Sequence, residues 1–187
     1  MRVEIYKSNE IPQHIFGVVS DLLHDAFAER REQGINFQCG LFSPQDVENE
    51  FNGNNGYLFL AIQESKPVGT ITFLEHRKGH LRYAATTNLA VSSIYKGKGV
   101  ATALWKEVFN MANQNSYDFL SSCTAVNANS SVHMHLKQGF VIYEKSFGRD
   151  YNSYSFIYPL KKMRFMRCKL LSKTVYMLLT VKNRIKK

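Results

Sequence analysis

The sequence predicts an α/β protein with a mixed, mostly antiparallel central sheet flanked by helices. Three observations carry this. Three strand-like runs follow one another over residues 57–91, a strongly amphipathic helix follows the third across a glycine-rich loop, and shorter strand and helix signals alternate from there to residue 158. The resulting order is βααβββαβαββ.

Residues 2–7 alternate enough to open as a strand. A helix follows from about Pro12, because proline suits a first helical turn and Ile15, Val18, Val19, Leu22 and Ala26 share a face; it runs through Glu29-Arg30-Arg31-Glu32 and stops at Gly34. Ser43-Pro44-Gln45-Asp46 reads as a cap before a second, short helix that ends in Asn52-Gly53-Asn54-Asn55-Gly56. The period then changes. Residues 57–63, 68–76 and 81–91 are rich in aromatic and β-branched side chains and are separated by Lys66-Pro67 and Lys78-Gly79, the pattern of an antiparallel meander. Beyond Lys96-Gly97-Lys98-Gly99, the residues Ala101, Leu104, Trp105, Val108, Phe109 and Ala112 recur at helical spacing. Residues 119–124 read as a strand, Asn129 as the cap of a short helix ending at Gly139, and residues 140–145 and 153–158 as a last strand pair.

The chain has 187 residues, 44% of them hydrophobic, which suffices for one domain with a real core. No signal peptide or run long enough to span a bilayer is visible, and Cys39, Cys123 and Cys168 show no C-x-x-C spacing, so the expected location is the reducing cytoplasm. The net charge of +9 is unevenly spread. Ten basic residues and no acidic one fall in 160–187, while residues 1–159 carry 14 basic and 15 acidic groups and are nearly neutral. The division expected is therefore a domain over 1–159 and a basic, weakly amphipathic tail over 160–187.

The informative motif is a strand, then Lys96-Gly97-Lys98-Gly99-Val100-Ala101, then a helix. Glycines allow close backbone approach, and the first amides of a helix lack internal partners at its positive dipole end, so this geometry suits a phosphate. The P-loop pattern is absent, and the dinucleotide pattern fails at Thr102, where a glycine is required. The segment resembles the acyl-CoA loop Q/R-x-x-G-x-G/A of the GNAT N-acetyltransferase superfamily, with Lys96 in the Gln/Arg place, Gly99 as the glycine and Ala101 in the last place. About 30 residues later, Asn129-Ser130-Ser131-Val132-His133-Met134-His135-Leu136-Lys137-Gln138-Gly139-Phe140 is similar to that family's N-x-x-[AV]-x-x-[LM]-Y-E-K-x-G-F segment.

The resemblance implies a sheet splayed between the strands at 81–91 and 119–124, with the pantetheine arm of acetyl-CoA in the gap. It places that arm against the backbone of Leu89, Ala90 and Val91, and near Asn129. The diphosphate falls on the amides of Gly97, Lys98, Gly99, Val100 and Ala101, with Thr102 adjoining and Lys96 and Lys98 assisting. The activity implied is acetyl transfer from acetyl-CoA, as co-substrate, to the primary amine of a small molecule. The family's tyrosine, donor to the departing thiolate, is replaced by His135.

An alkylammonium with a pKa of ~10.4 is almost wholly protonated near neutrality, so a base or an acceptor less basic than lysine is needed. Glu75 and His24 are the base candidates, and the central strand at 81–91 holds no carboxylate. His133 and His135 point to different sides of a helix and cannot share a metal ion, and no metal is expected. His24, Glu29, Arg30, Phe37, Tyr151 and Tyr154 are the candidates for the acceptor side, a set that suits an amino sugar or a sugar nucleotide. Two other readings stand beside this one: a non-catalytic acyl-CoA-binding regulatory module, or an adaptor for membrane or RNA acting through the tail. The tail otherwise fits packing on the domain, a homodimer contact or peripheral attachment to an anionic membrane surface. The near-neutral domain disfavours nucleic acid.

Overall fold

The computed structural model describes residues 1–34, 37–147 and 152–161. The tail beyond Lys161, Cys168 and Tyr151 thus lie outside the described residues. The elements are β1 (Arg2–Lys7), α1 (Gln13–Glu32), α2 (Pro44–Phe51), β2 (Gly56–Gln63), β3 (Lys66–Lys78), β4 (Leu81–Val91), α3 (Val100–Gln114), β5 (Phe119–Ala125), α4 (Asn129–Lys137), β6 (Val141–Phe147) and β7 (Asn152–Pro159). The seven strands form one sheet in the order β1-β2-β3-β4-β5-β7-β6, antiparallel throughout except for the parallel pair β4-β5.

The sheet is covered on both faces. On one, α3 contributes Val100, Leu104, Trp105, Val108 and Ala112 to a core with Phe59, Ile71, Phe73, Ala84, Leu120, Phe140 and Phe156. On the other, Ile15, Val19, Leu22 and Leu23 of α1 and Val47 and Phe51 of α2 pack on Leu58, Leu60, Leu74 and Ala90. Alternation along β2 and β4 sends successive side chains to these two cores. Ser43 caps α2 as the sequence indicates, in a reciprocal box with Asp46. Asn129 does not cap α4. It is the first helical residue, and Ala128 precedes it in the cap position without a side-chain bond.

Two features shape the centre of the sheet. Opposite Ile71 of β3, between the pairs Thr70↔Ala90 and Thr72↔Thr87, β4 carries two residues, Asn88 and Leu89. This is a β-bulge, and Asn88 takes a left-handed φ of 52° there. Its side-chain amide donates to the Glu50 carboxylate on α2, whose burial raises the carboxyl pKa. The second feature is at the other end of β4, where the amides of Arg82 and Asp118 clamp the strands together: Arg82 N donates to the Asp118 carboxylate and Asp118 N to the Arg82 carbonyl, both at 2.7 Å. The strands β4 and β5 pair from Tyr83↔Phe119 to Thr86↔Ser122 and part beyond, just before the bulge.

Candidate active site

The parted strands form one wall each of a cleft of about 700 Å³. Its lining runs from Lys96, Gly97 and residues 99–102 at the loop, along residues 86–91 of β4 and 122–124 of β5, to Met134 and His135 of α4. The loop end is built for an anion. Gly97 and Gly99 have φ of 77° and 82°, the left-handed region, and Gly99 caps α3 without a side chain over the first amides. Apart from their chain neighbours, no residue comes within 4 Å of where a Cβ at either glycine would stand, so the surface at these two positions is open. Farther in, β4 beyond Thr86 has no strand partner on its β5 side. Two cleft-lining residues, Thr87 and Trp105, carry buried polar atoms, Oγ1 and Nε1, that find no partner among the described residues. Unpaired backbone and side-chain groups along a narrow gap fit an arm made of amides, and the open helix terminus fits its diphosphate.

Lys96 lines the cleft, and its ammonium pairs with Glu29 of α1 at 3.1 Å. Lys98 sits apart from the lining, its ammonium 5.1 Å from the centre of the Tyr95 ring. Leu89, Ala90, Val91, Gly97, Gly99, Val100, Ala101, Thr102 and Asn129 all line the cleft.

At the closed end, where Thr86 and Ser122 form the last pair, stands His135. It is 3% exposed, stacked on Phe156 at 4.7 Å and edge-on to Trp105 and Phe140. Nδ1 lies 2.8 Å from the Ser131 carbonyl and Nε2 2.8 Å from Ser122 Oγ. A carbonyl only accepts, so Nδ1 carries the proton and Nε2 presents a lone pair. Ser122 then donates its single proton to Nε2 in preference to the Thr86 carbonyl at 3.3 Å. Burial among aromatic rings pushes the His135 pKa from 6.5 down to about 4, so the ring is neutral. His135 consequently has no free N–H to give a departing thiolate. The residue that sequence reasoning missed is Ser122, whose signal lies in the small, hydroxyl-rich run Ser121-Ser122-Cys123-Thr124.

The structure does not bring Glu75 or His24 to this cleft. Glu75 is spent near the clamp, accepting from the Tyr117 hydroxyl and paired with Arg82 at 3.2 Å. His24 is exposed on α1, outside the lining. Of the residues proposed for the acceptor side, Glu29, Arg30 and Phe37 line the mouth and Tyr154 does not. The Arg30 guanidinium lies 5.7 Å from the Phe37 ring centre and donates to Ser130 Oγ at 3.1 Å, bridging α1 and α4. Among the described residues, no group of three or more His, Cys, Asp or Glu could hold a metal ion, and no helix is long and apolar enough to cross a membrane.

The sequence model of the Acetyltransferase (GNAT) family matches residues 20–140, about two thirds of the chain. The chain belongs to this family. Its members use acetyl-CoA, and this enzyme is an acetyl-CoA-dependent N-acetyltransferase in that general sense. Solved structures share the fold at low identity. An acetyltransferase of the GNAT family from Streptococcus pneumoniae has a TM-score of 0.65 at 16% identity, covering 86% of this chain and 100% of that one. A ribosomal-protein-alanine N-acetyltransferase from Brucella melitensis has a TM-score of 0.66 at 17% identity over 86% and 100%. The yncA protein of Salmonella typhimurium, determined with acetyl-CoA, has a TM-score of 0.64 at 11% identity over 88% and 97%. No curated protein matches the chain in sequence.

Proposed function

We propose that this enzyme transfers acetyl from acetyl-CoA to the primary amine of a small molecule that carries hydroxyl or anionic groups, an amino sugar being the type case. The observation that carries the reading is the continuity of the cleft: helix-start amides at residues 99–102 lead directly into the gap that begins at Thr86 and Ser122, while the Lys98 amide is taken by the Tyr95 carbonyl at 3.3 Å. In this reading the diphosphate rests on those amides, and Lys96 exchanges Glu29 for a phosphate oxygen. An exposed ion pair is worth at most about 1 kcal/mol, so the exchange meets little resistance. The backbone of Leu89, Ala90 and Val91 pairs with the pantetheine amides, and Asn129 contacts the arm from α4.

The acceptor enters past Arg30 and Phe37. A half-buried guanidinium beside an aromatic face suits a ring that offers both an apolar face and oxygen atoms. Glu29 is the single carboxylate among the described lining residues, and it is exposed and paired. That favours an amine less basic than lysine, which is neutral more often without help.

The test is thioester consumption with a panel of amines: amino sugars, amino acids, aromatic amines and peptide N-termini. The account expects turnover with a hydroxylated small amine, and Arg30→Ala to raise KM for it more than it lowers kcat. Transfer confined to peptide N-termini would contradict the acceptor assignment. Tight coenzyme A binding with no transfer to any amine would favour a regulatory module.

A further inference from the structure

The geometry points to Asn88 as the group that receives the acceptor's amine, its side-chain carbonyl oxygen taking an N–H of the nitrogen while Glu50 holds the amide in that orientation. This rests on the acetyl-CoA reading of the same cleft. The orientation follows from the partner. A carboxylate only accepts hydrogen bonds, so the Asn88 amide turns Nδ2 toward Glu50 and Oδ1 away from it. Asn88 lines the cleft and is 8% exposed, and no described residue donates to Oδ1. Unlike Thr87 Oγ1 on the preceding residue, Oδ1 is not sealed from solvent.

The carboxylate behind this amide lacks a counter-charge. Glu50 is half-buried, and the ion pairs among the described residues use Glu4, Glu75, Glu29 and Asp118 instead. Cys39, a second lining residue, feels the same carboxylate: burial and the Glu50 charge raise its thiol pKa to about 11. An uncompensated negative charge beneath a cleft favours an occupant that brings or develops positive charge. The nitrogen of an attacking amine does so. Its lone pair forms the carbon–nitrogen bond, the carbon–sulfur bond breaks, and the proton it sheds reaches the sulfur through water. Asn88 forms no covalent bond and keeps no proton. By holding one N–H it aims the lone pair at the acetyl carbon, and that hydrogen bond strengthens as the nitrogen turns positive.

The position is specific. Asn88 stands two residues beyond Thr86, where the β4-β5 gap begins, and one before Leu89, where the reading places the pantetheine arm. A bulge re-aims a side chain, and this one falls at the acyl end of the gap. The Asn88 side chain reaches α2, whose core lies on the sheet face opposite that of α3. The coenzyme therefore enters from the α3 side and the amine from the α1-α2 side, past Phe27, Phe37 and Cys39 of the same lining.

The experiment measures kcat and KM for the amine at saturating acetyl-CoA, per coenzyme A site titrated by calorimetry. It compares the full-length protein with Asn88→Gly, Glu50→Gln and the double variant Glu50→Gln/Asn88→Asp, using glucosamine, alanine, aniline and a tripeptide as acceptors. Glycine keeps the left-handed φ and removes the oxygen. Glutamine keeps an acceptor for Nδ2 and removes the charge, and the double exchange restores charge and oxygen with the hydrogen bond reversed. For each amine that the parent acetylates, kcat/KM per site should fall about 10–100-fold in Asn88→Gly and about 3–10-fold in Glu50→Gln, with recovery in the double variant. Coenzyme A affinity should stay close to that of the parent. A merely structural pair would reduce the number of titrated sites and leave kcat/KM per site unchanged. Parent-like kcat/KM per site in either single variant overturns the proposal and leaves the proposed function standing. If Asn88→Gly does not fold, the other two variants decide, and a double variant no better than Glu50→Gln overturns the proposal. A parent that binds coenzyme A yet acetylates no amine removes the proposed function and this inference together. No coenzyme A binding at all removes the reading of the cleft as well.

Discussion

His135 illustrates how one side chain couples packing to pH. Its folded pKa of about 4 lies below the ordinary 6.5, because charging it would strip an imidazolium of water. Between these values the unfolded chain binds more protons than the folded one, so stability falls as the solution is acidified. The contribution is complete above about pH 6.5, lost below about pH 4, and amounts to about 3 kcal/mol across that window. Thermal unfolding followed from pH 7 to 4 should show this slope, and His135→Leu should flatten it. A parallel pH dependence in both proteins would refute the assignment. The residue was legible in sequence as a departure from the family's tyrosine. Its bond to Ser122 was not, because that serine arrives from β5, whereas the Ser131 carbonyl is four residues earlier on the same helix. Glu75 and His24 misled for the same reason: their residue type suited a base, but position in the chain does not report that Tyr117 and Arg82 claim one and solvent surrounds the other.

Among the elements, periodicity revealed nearly every strand and helix, since amphipathic faces are written locally. The bulge in β4 was hidden, because residues 81–91 alternate as though regular and the kink at Asn88 depends on Glu50 from α2. This gives a two-variant prediction. Asn88→Gly keeps the positive φ and loses only the side-chain bond, whereas Asn88→Val also forces a β-branched residue into the left-handed region. The valine variant should be less stable than the glycine variant by about 1–2 kcal/mol in chemical denaturation. Equal stability would mean that φ at 88 relaxes freely. A second element-level prediction concerns the seat of α3. A Cβ on Gly69 would stand 2.7 Å from Val100 Cγ1 and 3.0 Å from the Ala90 carbonyl. Gly69→Ala should therefore cost about 1–3 kcal/mol by overpacking the start of the helix that forms the anion cradle, and reduce coenzyme A affinity together with thermal stability.

For the molecule as a whole, all described residues that line the cleft fall between Ala26 and His135, and the Leu160 and Lys161 amides close the described part by donating to the Asp118 carbonyl. A chain ending at Lys161 should fold and bind coenzyme A within about twofold of the full protein, since it keeps every described residue that lines the cleft. A large loss would make residues beyond 161 part of the site. The account depends most on the cleft between β4 and β5 receiving acetyl-CoA with its diphosphate on the α3 amides. Titration calorimetry of the full-length protein and of Gly99→Val with coenzyme A tests this directly. The account predicts one site per chain for the parent and at least about tenfold weaker binding for the variant, whose β-branched side chain meets a φ of 82° at the mouth of the cradle. No heat with the parent, or identical affinities for the two proteins, would contradict it.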